Sequence, residues 1–472
     1  MATRAPWAPV RDPADLRPRF DALRAGFSLD AVPDVAARRA RLDALAEAVR
    51  ARRSRILAAI SDDFGHRAEV EILTGDYGFT LDSIAHIRRH VARWVRPRRR
   101  LVLRPVPGRA EVLREPKGLV GVVSPWNYPL QLALVPLATA VAAGNRVMLK
   151  PAERTPRTAD LLAEIVADAL PMEEAAVVLG DAAMGAAFAA LPFDHLFYTG
   201  NAEVGRKVMR AAAANLTPVT LELGGKSPAV AMPDADPATH GRMIAWGRWY
   251  AAGQTCVACD HLWVPRGEGA RWAVALLGHA RGFLEGPDAP GYTGIVDARA
   301  RARIEAMVEE ARAGGAVVEA LDLPAGRGDA YRPTVVLAPP PGCALLREEV
   351  FGPVLPILEY DAPGDVVAAV ARGPHPLAAY AFGRDRAAAR ALVLRIRSGG
   401  AAVNAAILQL ALHDMPFGGI GGSGMGAYHG ERGFETFSHE RGVFTAWGDL
   451  AGRMMLPPYG RTVRRAIDWM TR

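Results

Sequence analysis

The sequence predicts an α/β protein made of a doubly wound parallel sheet and a second α/β lobe. Three observations predict it. Between residues 119 and 223 five short apolar runs alternate with helical stretches, a rhythm that implies right-handed crossovers and a buried parallel sheet. After residue 226 a second series of helical and strand-like stretches begins. The chain has 472 residues, too many for one compact core, and half of them are hydrophobic.

The elements follow in order. Residues 36 to 61 carry Leu42, Leu45, Val49, Ile56 and Ile60 among arginines, the spacing of one helical face. A second helical stretch, 76 to 95, precedes the basic run Arg96-Pro-Arg-Arg-Arg100. Residues 100 to 115 alternate around Pro105-Val-Pro-Gly108 and predict a two-stranded ribbon. The strands of the doubly wound lobe are 119 to 123, 147 to 149, 175 to 179, 195 to 198 and 219 to 223. Helices run to about 143, over 157 to 169, briefly before His195, and over 202 to 214. Ligands of such a lobe sit beyond the carboxyl ends of its strands. In the second lobe helices fit 239 to 252, 269 to 284, 297 to 313 and 385 to 397. Strand-like runs there fit 262 to 264, 317 to 318, 334 to 336 and 401 to 403.

Composition narrows the class. The first ten residues lack the apolar core of a secretory signal, and three cysteines (Cys256, Cys259, Cys343) are too few for a disulfide framework. A cytoplasmic protein is expected. The most apolar stretch, 130 to 144, is broken by Gln131 and Pro136 and falls short of the roughly 20 residues that span a bilayer. The net charge of +7 raises nucleic acid as a partner, but no zinc-finger spacing or aromatic RNA-binding signature accompanies the arginine run. It reads as a solvated face that attracts anionic cofactors, and no nucleic acid is expected. Lysine is confined to Lys117, Lys150, Lys207 and Lys226 in an arginine background, and asparagine to Asn127, Asn145, Asn201, Asn215 and Asn404. Such survivors are enriched where a compact ammonium or a small amide is required.

Two nucleotide motifs nearly appear. Gly419-Ile-Gly421-Gly-Ser-Gly424 fits G-x-G-x-x-G, but Pro416 precedes it and no crossover helix follows, so it reads as a flexible turn. Gly200-Asn-Ala-Glu-Val-Gly205-Arg-Lys207 resembles a P-loop with its lysine one place late and Val208 in place of the hydroxyl. A nucleotide hydrolase is disfavoured, yet Gly200 follows a strand and opens a helix, where a cofactor phosphate could rest. Cys256 sits in Gly253-Gln-Thr-Cys256; Glu222 ends the last sheet strand, where a carboxylate is costly unless employed; Asn127 follows another strand end.

Together these residues resemble the aldehyde dehydrogenase superfamily. The resemblance runs nearly end to end. It is carried by Pro-Trp-Asn at 125 to 127, Lys150-Pro-Ala-Glu153, Tyr-Thr-Gly-Asn at 198 to 201 and Glu-Leu-Gly-Gly-Lys-Ser-Pro at 222 to 228. Gly-Gln-Thr-Cys at 253 to 256, Glu-Glu-Val-Phe-Gly-Pro at 348 to 353 and Pro-Phe-Gly-Gly at 416 to 419 continue it. Thr-Gly-Asn and Met425-Gly-Ala-Tyr-His-Gly430 look like the class 3 branch. Asp63-Phe-Gly-His-Arg67 and the arginine run look like its bacterial coniferyl aldehyde dehydrogenase group.

The resemblance implies NAD(P)-dependent oxidation of an aldehyde to its acid. In that scheme Cys256 attacks the carbonyl, Asn127 and the Cys256 backbone N–H hold the oxyanion, and Glu222 activates the hydrolytic water. It places Lys150 and Glu153 at the adenosine ribose, Glu349 and Phe351 at the nicotinamide ribose, and Gly200, Asn201 and Gly205 along the pyrophosphate or adenine side. Trp126 flanks the site. No metal is implied. A carboxylate at 153 repels a 2′-phosphate and favours NAD⁺, although class 3 members often accept NADP⁺ as well. Lys226 has no evident role beyond a structural one.

The implied fold is the three-part aldehyde dehydrogenase arrangement. Its cofactor lobe covers 1–95 and 117–221, its catalytic lobe 222–430, its oligomerisation ribbon 96–116 and 431–447, and its C-terminal tail 448–472. Exposed ribbon edges predict a homodimer or larger assembly. The stretch Met454 to Met470 is too polar and short to insert in a membrane, which leaves peripheral surface contact open. Tyr128, Trp246 and Trp249 are candidate liners for an aromatic substrate such as coniferyl aldehyde; medium- or long-chain aliphatic aldehydes are the alternative. A CoA-acylating relative is disfavoured, because a thiol acceptor needs no water-activating base. Cys259 departs from the family's usual proline and creates Cys256-Val-Ala-Cys259, either a small substitution or a redox pair.

Overall fold

The structure, a computed structural model, describes residues 7–28, 32–102, 107–284, 291–323, 330–448 and 456–472. The five apolar runs form a parallel sheet in the order Val219–Glu222, His195–Thr199, Leu119–Val123, Arg146–Lys150, Ala175–Val177. Alternate strand residues feed two cores, one on each face. Val120, Val122, Val147 and Leu149 pack with the wholly buried helix Gln131–Ala143, while Leu119, Met148, Leu196 and Leu221 face the helices Pro13–Ala25 and Ala182–Ala189. A sixth strand, Gly424–Met425, joins the edge antiparallel to Val219–Glu222. The glycine-rich motif at 419 to 424 therefore ends in a strand.

A seven-stranded sheet forms the second layer system. Its order is Val317–Ala320, Thr334–Leu337, Val354–Tyr360, His261–Pro265, Pro228–Ala231, Ala378–Phe382, Gly400–Val403, and all neighbours after the first pair run parallel. Three central strands, 228–231, 354–360 and 378–382, are absent from the sequence reading. They are buried almost throughout, so they show no alternation, and prolines or alanines interrupt the β-branched pattern that marks a strand.

Several helices also differ. The single helix read over 36 to 61 is two, Val35–Arg50 and Arg53–Asp63, separated where Arg52 leaves helical geometry (φ −111, ψ 16). The helix read from 76 begins at Phe79, and the chain before it makes one helical turn, Glu69–Ile72, followed by a π-helical segment, Leu73–Gly78. The helix read to 252 ends at Trp249 and gives way to a 3₁₀ turn, Tyr250–Gly253.

The ribbon strands are Arg98–Val102 and Gly108–Pro116, paired antiparallel, with Ser438–Ala446 completing a three-stranded sheet. Pro105 and Val106 of the expected turn lie outside the described residues. Two arginines of the run are neutralised locally: Arg98 meets Glu431 and Glu435 of the helix Gly430–Thr436, and Arg99 meets Glu111 of the neighbouring strand. The C-terminal helix is Arg461–Met470; Met454 lies outside the described residues. Among the described residues no helix is long and apolar enough to cross a membrane.

Candidate active site

The turn that carries Cys256 is made by local strain and held from outside. After Trp249 the backbone takes three consecutive left-handed residues, Ala251 (φ 52), Ala252 (φ 51) and Gly253 (φ 70). Left-handed alanines cost energy and persist where surroundings over-determine them. Glu71 supplies one restraint by accepting the Ala251 N–H at 2.8 Å. Glycine is required at 253, where a Cβ would strike the carbonyls of Gly352 and Arg248. Gln254 is fully engaged: it donates to Ala251 O (3.1 Å) and Gly294 O (2.9 Å) and accepts from Val296 N–H (3.0 Å). The next turn closes by Ala258 N–H to Thr255 O at 2.9 Å, and the N–H groups of Cys256 and Val257 face the Cys256 sulfur.

Cys256 keeps partial exposure inside this frame. Burial, Glu349 and Glu222 push its thiol up to about 12, while the two backbone N–H groups pull the other way. Asn127, buried after the strand 119–123, donates through Nδ2 to Gln254 O at 3.1 Å, which ties its amide to the nucleophile's turn. Glu222 ends the strand 219–222; both its carboxyl oxygens are buried with no hydrogen-bond partner among the described residues. Burial alone raises its carboxyl well above the ordinary range. The three sequence-predicted reactive groups thus come from a strand end, a loop and a turn, and converge on one place.

Of the residues expected at the cofactor, Trp126, Lys150, Glu153, Gly200 and Asn201 lie at or just past the carboxyl ends of strands of the first sheet, whereas Glu349 and Phe351 precede the strand 354–360 of the second. Lys150 ends the strand 146–150, buried, with Nζ bonded to Pro151 O (2.9 Å) and 3.8 Å from the half-exposed Glu153 carboxylate. Asn201 caps the helix Ala202–Ala213 by accepting the Val204 N–H at 2.9 Å, so its side chain is committed to the helix and the exposed backbone faces any ligand. Gly205 brings that helix against the sheet, since a Cβ there would sit 2.8 Å from Leu223, and Gly200 has Tyr198 as its neighbour. Glu349 is partly buried, with Oε1 fully buried and unpartnered among the described residues, its carboxyl raised to about 8 by desolvation and then Asp260. An orphaned acceptor of this kind fits a ribose hydroxyl. Phe351 takes a left-handed conformation (φ 46) and meets Trp126 edge-on at 5.3 Å; the Arg154 guanidinium lies 4.6 Å from the Trp126 ring.

The loop carrying Glu349 and Phe351 is pinned from below by Lys226, read from the sequence as structural, and by Asp260, Arg303 and Arg248, which sequence reasoning missed. Lys226 donates to Leu345 O (2.8 Å), Glu348 O (2.9 Å) and the Asp260 carboxylate. Asp260 accepts the Val350 N–H at 2.8 Å, and Arg303 donates to Glu349 O (3.0 Å) and Val350 O (2.6 Å). Arg248, fully buried, donates to Gly352 O, and Trp249 Nε1 to Pro353 O at 3.0 Å. Trp249 therefore anchors this loop from the core and is not a substrate liner. The scarcity of lysine pointed to Lys226, but its partners lie 34 to 122 residues away.

On the opposite side Tyr128 is bonded through its hydroxyl to Thr255 Oγ1 at 2.6 Å, and Trp246 packs on Tyr250 with ring centroids 5.0 Å apart. Cys259 is fully buried beneath the helix 237–249, its sulfur against Gly247, the environment of a core substitution.

Residues 9–443 match the aldehyde dehydrogenase family. The chain is 40% identical over 450 residues to a Pseudomonas aeruginosa protein named "Probable coniferyl aldehyde dehydrogenase", covering 95% of this chain and 94% of that one. It is 40% identical over 447 residues to a coniferyl aldehyde dehydrogenase of a Pseudomonas species, covering 91% of each. The substrate-bound structure of Staphylococcus aureus AldH superposes with a TM-score of 0.90 at 32% identity, over 97% of this chain and 99% of that chain. A Mycobacterium tuberculosis aldehyde dehydrogenase complexed with NAD⁺ superposes with a TM-score of 0.84 at 30% identity, over 92% and 91%. The class 3 likeness also appears by name, in the Arabidopsis thaliana aldehyde dehydrogenase family 3 member H1, 35% identical over 422 residues, covering 87% of this chain and 86% of that one. The chain belongs to the aldehyde dehydrogenase family and is an NAD(P)-dependent enzyme.

Proposed function

We propose that the protein oxidises an aromatic aldehyde of the coniferyl kind to its carboxylic acid through a thioester on Cys256 that water cleaves with Glu222 as base. The observation that carries this reading is Glu222 itself: a buried, unpartnered carboxyl near enough to raise the Cys256 thiol has no structural partner to satisfy, and suits a water-activating base. The Cys256 thiolate adds to the carbonyl carbon, and the oxygen becomes an oxyanion held by Asn127 Nδ2 and the Cys256 N–H. Each such donor is worth about 10²–10³ in rate. Bound NAD(P)⁺ supplies the hydride acceptor and a positive charge that favours the thiolate. Loss of hydride leaves the Cys256 thioester; Glu222 takes a proton from water, the hydroxide adds, and the acid departs with Cys256 as leaving group.

Lys150 and Glu153 would hold the adenosine ribose, the N-terminus of helix 202–213 the pyrophosphate with Gly200, Asn201 and Gly205, and Glu349, Phe351 and Trp126 the nicotinamide end. The aromatic substrate is supported by the names of the two coniferyl aldehyde relatives and by Tyr128, Trp246 and Tyr250 beside the nucleophile's turn. The S. aureus relative named 4,4′-diaponeurosporen-aldehyde dehydrogenase, 33% identical over 451 residues (93% of this chain, 96% of that one), keeps long-chain aldehydes as the second reading. A homodimer through the 98–116 and 438–446 ribbon is part of the proposal, as is a cytoplasmic site, which the three free cysteines suit.

A panel of aromatic and aliphatic aldehydes, followed by reduced-cofactor absorbance, tests the substrate; higher kcat/KM on long aliphatic chains would reverse the order. Cys256→Ala should abolish oxidation of every aldehyde in the panel and leave NAD⁺ binding within about twofold, as measured by calorimetry. Retained turnover in that variant refutes the mechanism.

A further inference from the structure

We infer that Arg67 is a positioning residue for the oxyanion donor Asn127, with Asp76 holding Arg67 in place; the inference rests on the oxyanion role proposed above for Asn127. Both side chains are fully buried, and Arg67 Nη1 lies 3.2 Å from Asp76 Oδ2. A buried ion pair is a poor source of stability, so its presence needs another reason. Its directional bonds give that reason. Arg67 Nη1 donates to the backbone carbonyl of Asn127 at 2.7 Å, and Asp76 Oδ1 accepts the N–H groups of Leu130 (3.2 Å) and Gln131 (3.1 Å). The five residues from 127 to 131 are therefore gripped at both ends by one pair of charges. Nε and Nη2 of Arg67 and Oδ2 of Asp76 have no hydrogen-bond partner among the described residues, so the pair turns its bonding toward this segment and not toward itself.

The surroundings fix the guanidinium further. It lies 5.0 Å from the Phe64 ring centroid and 4.7 Å from that of Tyr128, sandwiched at the level of the Asn127 peptide. Asp76 reaches the helix start from a π-helical segment, an uncommon geometry that recurs at functional sites. Gly75 within it has no room for a side chain, because a Cβ would sit 2.7 Å from the Tyr250 hydroxyl and 2.8 Å from Tyr128. The same short stretch supplies Glu71, which holds the Ala251 N–H on the nucleophile's turn. Segment 67–76 thus sets both sides of the oxyanion site, the amide donor and the turn that carries the thiol, without touching substrate.

The test is the pre-steady-state burst of reduced cofactor in the full-length enzyme with an aromatic aldehyde. Asn127→Ala should slow the burst about 10²–10³-fold. Arg67→Met should slow it about 10- to 100-fold through misplacement of that amide, with NAD⁺ affinity unchanged. In the Asn127→Ala background, Arg67→Met should cost no more than a further factor of about two. Multiplicative losses would overturn the positioning role alone, whereas a wild-type burst in Asn127→Ala would overturn the oxyanion reading beneath it. Should Arg67→Met not fold with Asp76 left uncompensated, Arg67→Met/Asp76→Asn removes both charges and keeps one acceptor for Leu130 and Gln131. That folded variant should still burst slowly; a wild-type burst there would mean the pair serves packing only and would refute the inference.

Discussion

Glu222 shows at the scale of one residue how stability is traded for reactivity. Its carboxyl is buried and unpartnered, and burial raises its pKa, so the folded state holds a proton that the unfolded chain releases near its ordinary carboxyl range. Stability is then full below that ordinary range and falls as pH rises toward the folded value. Glu222→Gln removes the slope and should stabilise the protein by about 1–3 kcal/mol at pH 8, measured as a shift of the denaturation midpoint. The same variant should give a burst of reduced cofactor and then stall, with acylated Cys256 visible by mass spectrometry. Loss of the burst would mean Glu222 also deprotonates Cys256. At Glu153, half-exposed beside Lys150, Glu153→Ser should raise the NADP⁺-to-NAD⁺ ratio of kcat/KM; an unchanged ratio would place 153 away from the ribose. Cys256, Asn127 and Glu222 were legible because each sits in a short motif. Glu71 was not, and Arg67 was read only as the end of the Asp63–Arg67 motif, because its role has no signal until its partner, an Asn127 peptide carbonyl, is in view.

Among elements, the loop 348–353 is positioned by charges that lie beneath it. Lys226 and Asp260 form a close pair that reaches the loop's backbone, Lys226 at Glu348 O and Asp260 at the Val350 N–H, while Lys226 also bonds Leu345 O just before the loop. Lys226→Met leaves buried Asp260 uncompensated, and breaking such a pair costs about 3–5 kcal/mol. A lower midpoint in thermal unfolding and weaker NAD⁺ binding by calorimetry are both expected. Unchanged affinity in the folded variant would show that the loop holds Glu349 without its anchor. The strands of the first sheet were readable because they recur as short apolar runs at regular intervals between helical stretches and loops. The central strands 228–231, 354–360 and 378–382 were not, because burial on both faces erases the period that identifies a strand.

At the scale of the molecule the three-stranded ribbon leaves Leu101, Phe444 and Trp447 more than half exposed, at 63%, 51% and 53%. The register sets Leu101 opposite Arg109 and Phe444 opposite Ala110, so the ribbon offers exposed apolar side chains on both faces, which favours a partner, and a second copy of the chain is the occupant proposed above. Leu101→Asp/Phe444→Asp should convert a dimer to a monomer in sedimentation velocity, with the burst retained per active site; a wild-type sedimentation coefficient in that variant would remove the ribbon from the interface. The two sheets were each foreseen, but the thread between them was not, since a two-residue strand containing glycine has no sequence signature.

That thread is Gly424–Met425, which bonds along the strand carrying Glu222, while Leu223 N–H reaches Ser423 O at 3.1 Å. Glycine is needed at 424 because a Cβ would strike the Leu221 carbonyl, and its backbone sits at φ +148. Chain that has just left the seven-stranded sheet is thereby stitched to the edge of the six-stranded one, and the stitch runs beside Glu222, the base proposed above. Opening the two sheets away from each other would break the bonds along the strand that carries Glu222, so the edge holding this carboxyl is shared by chain from both lobes.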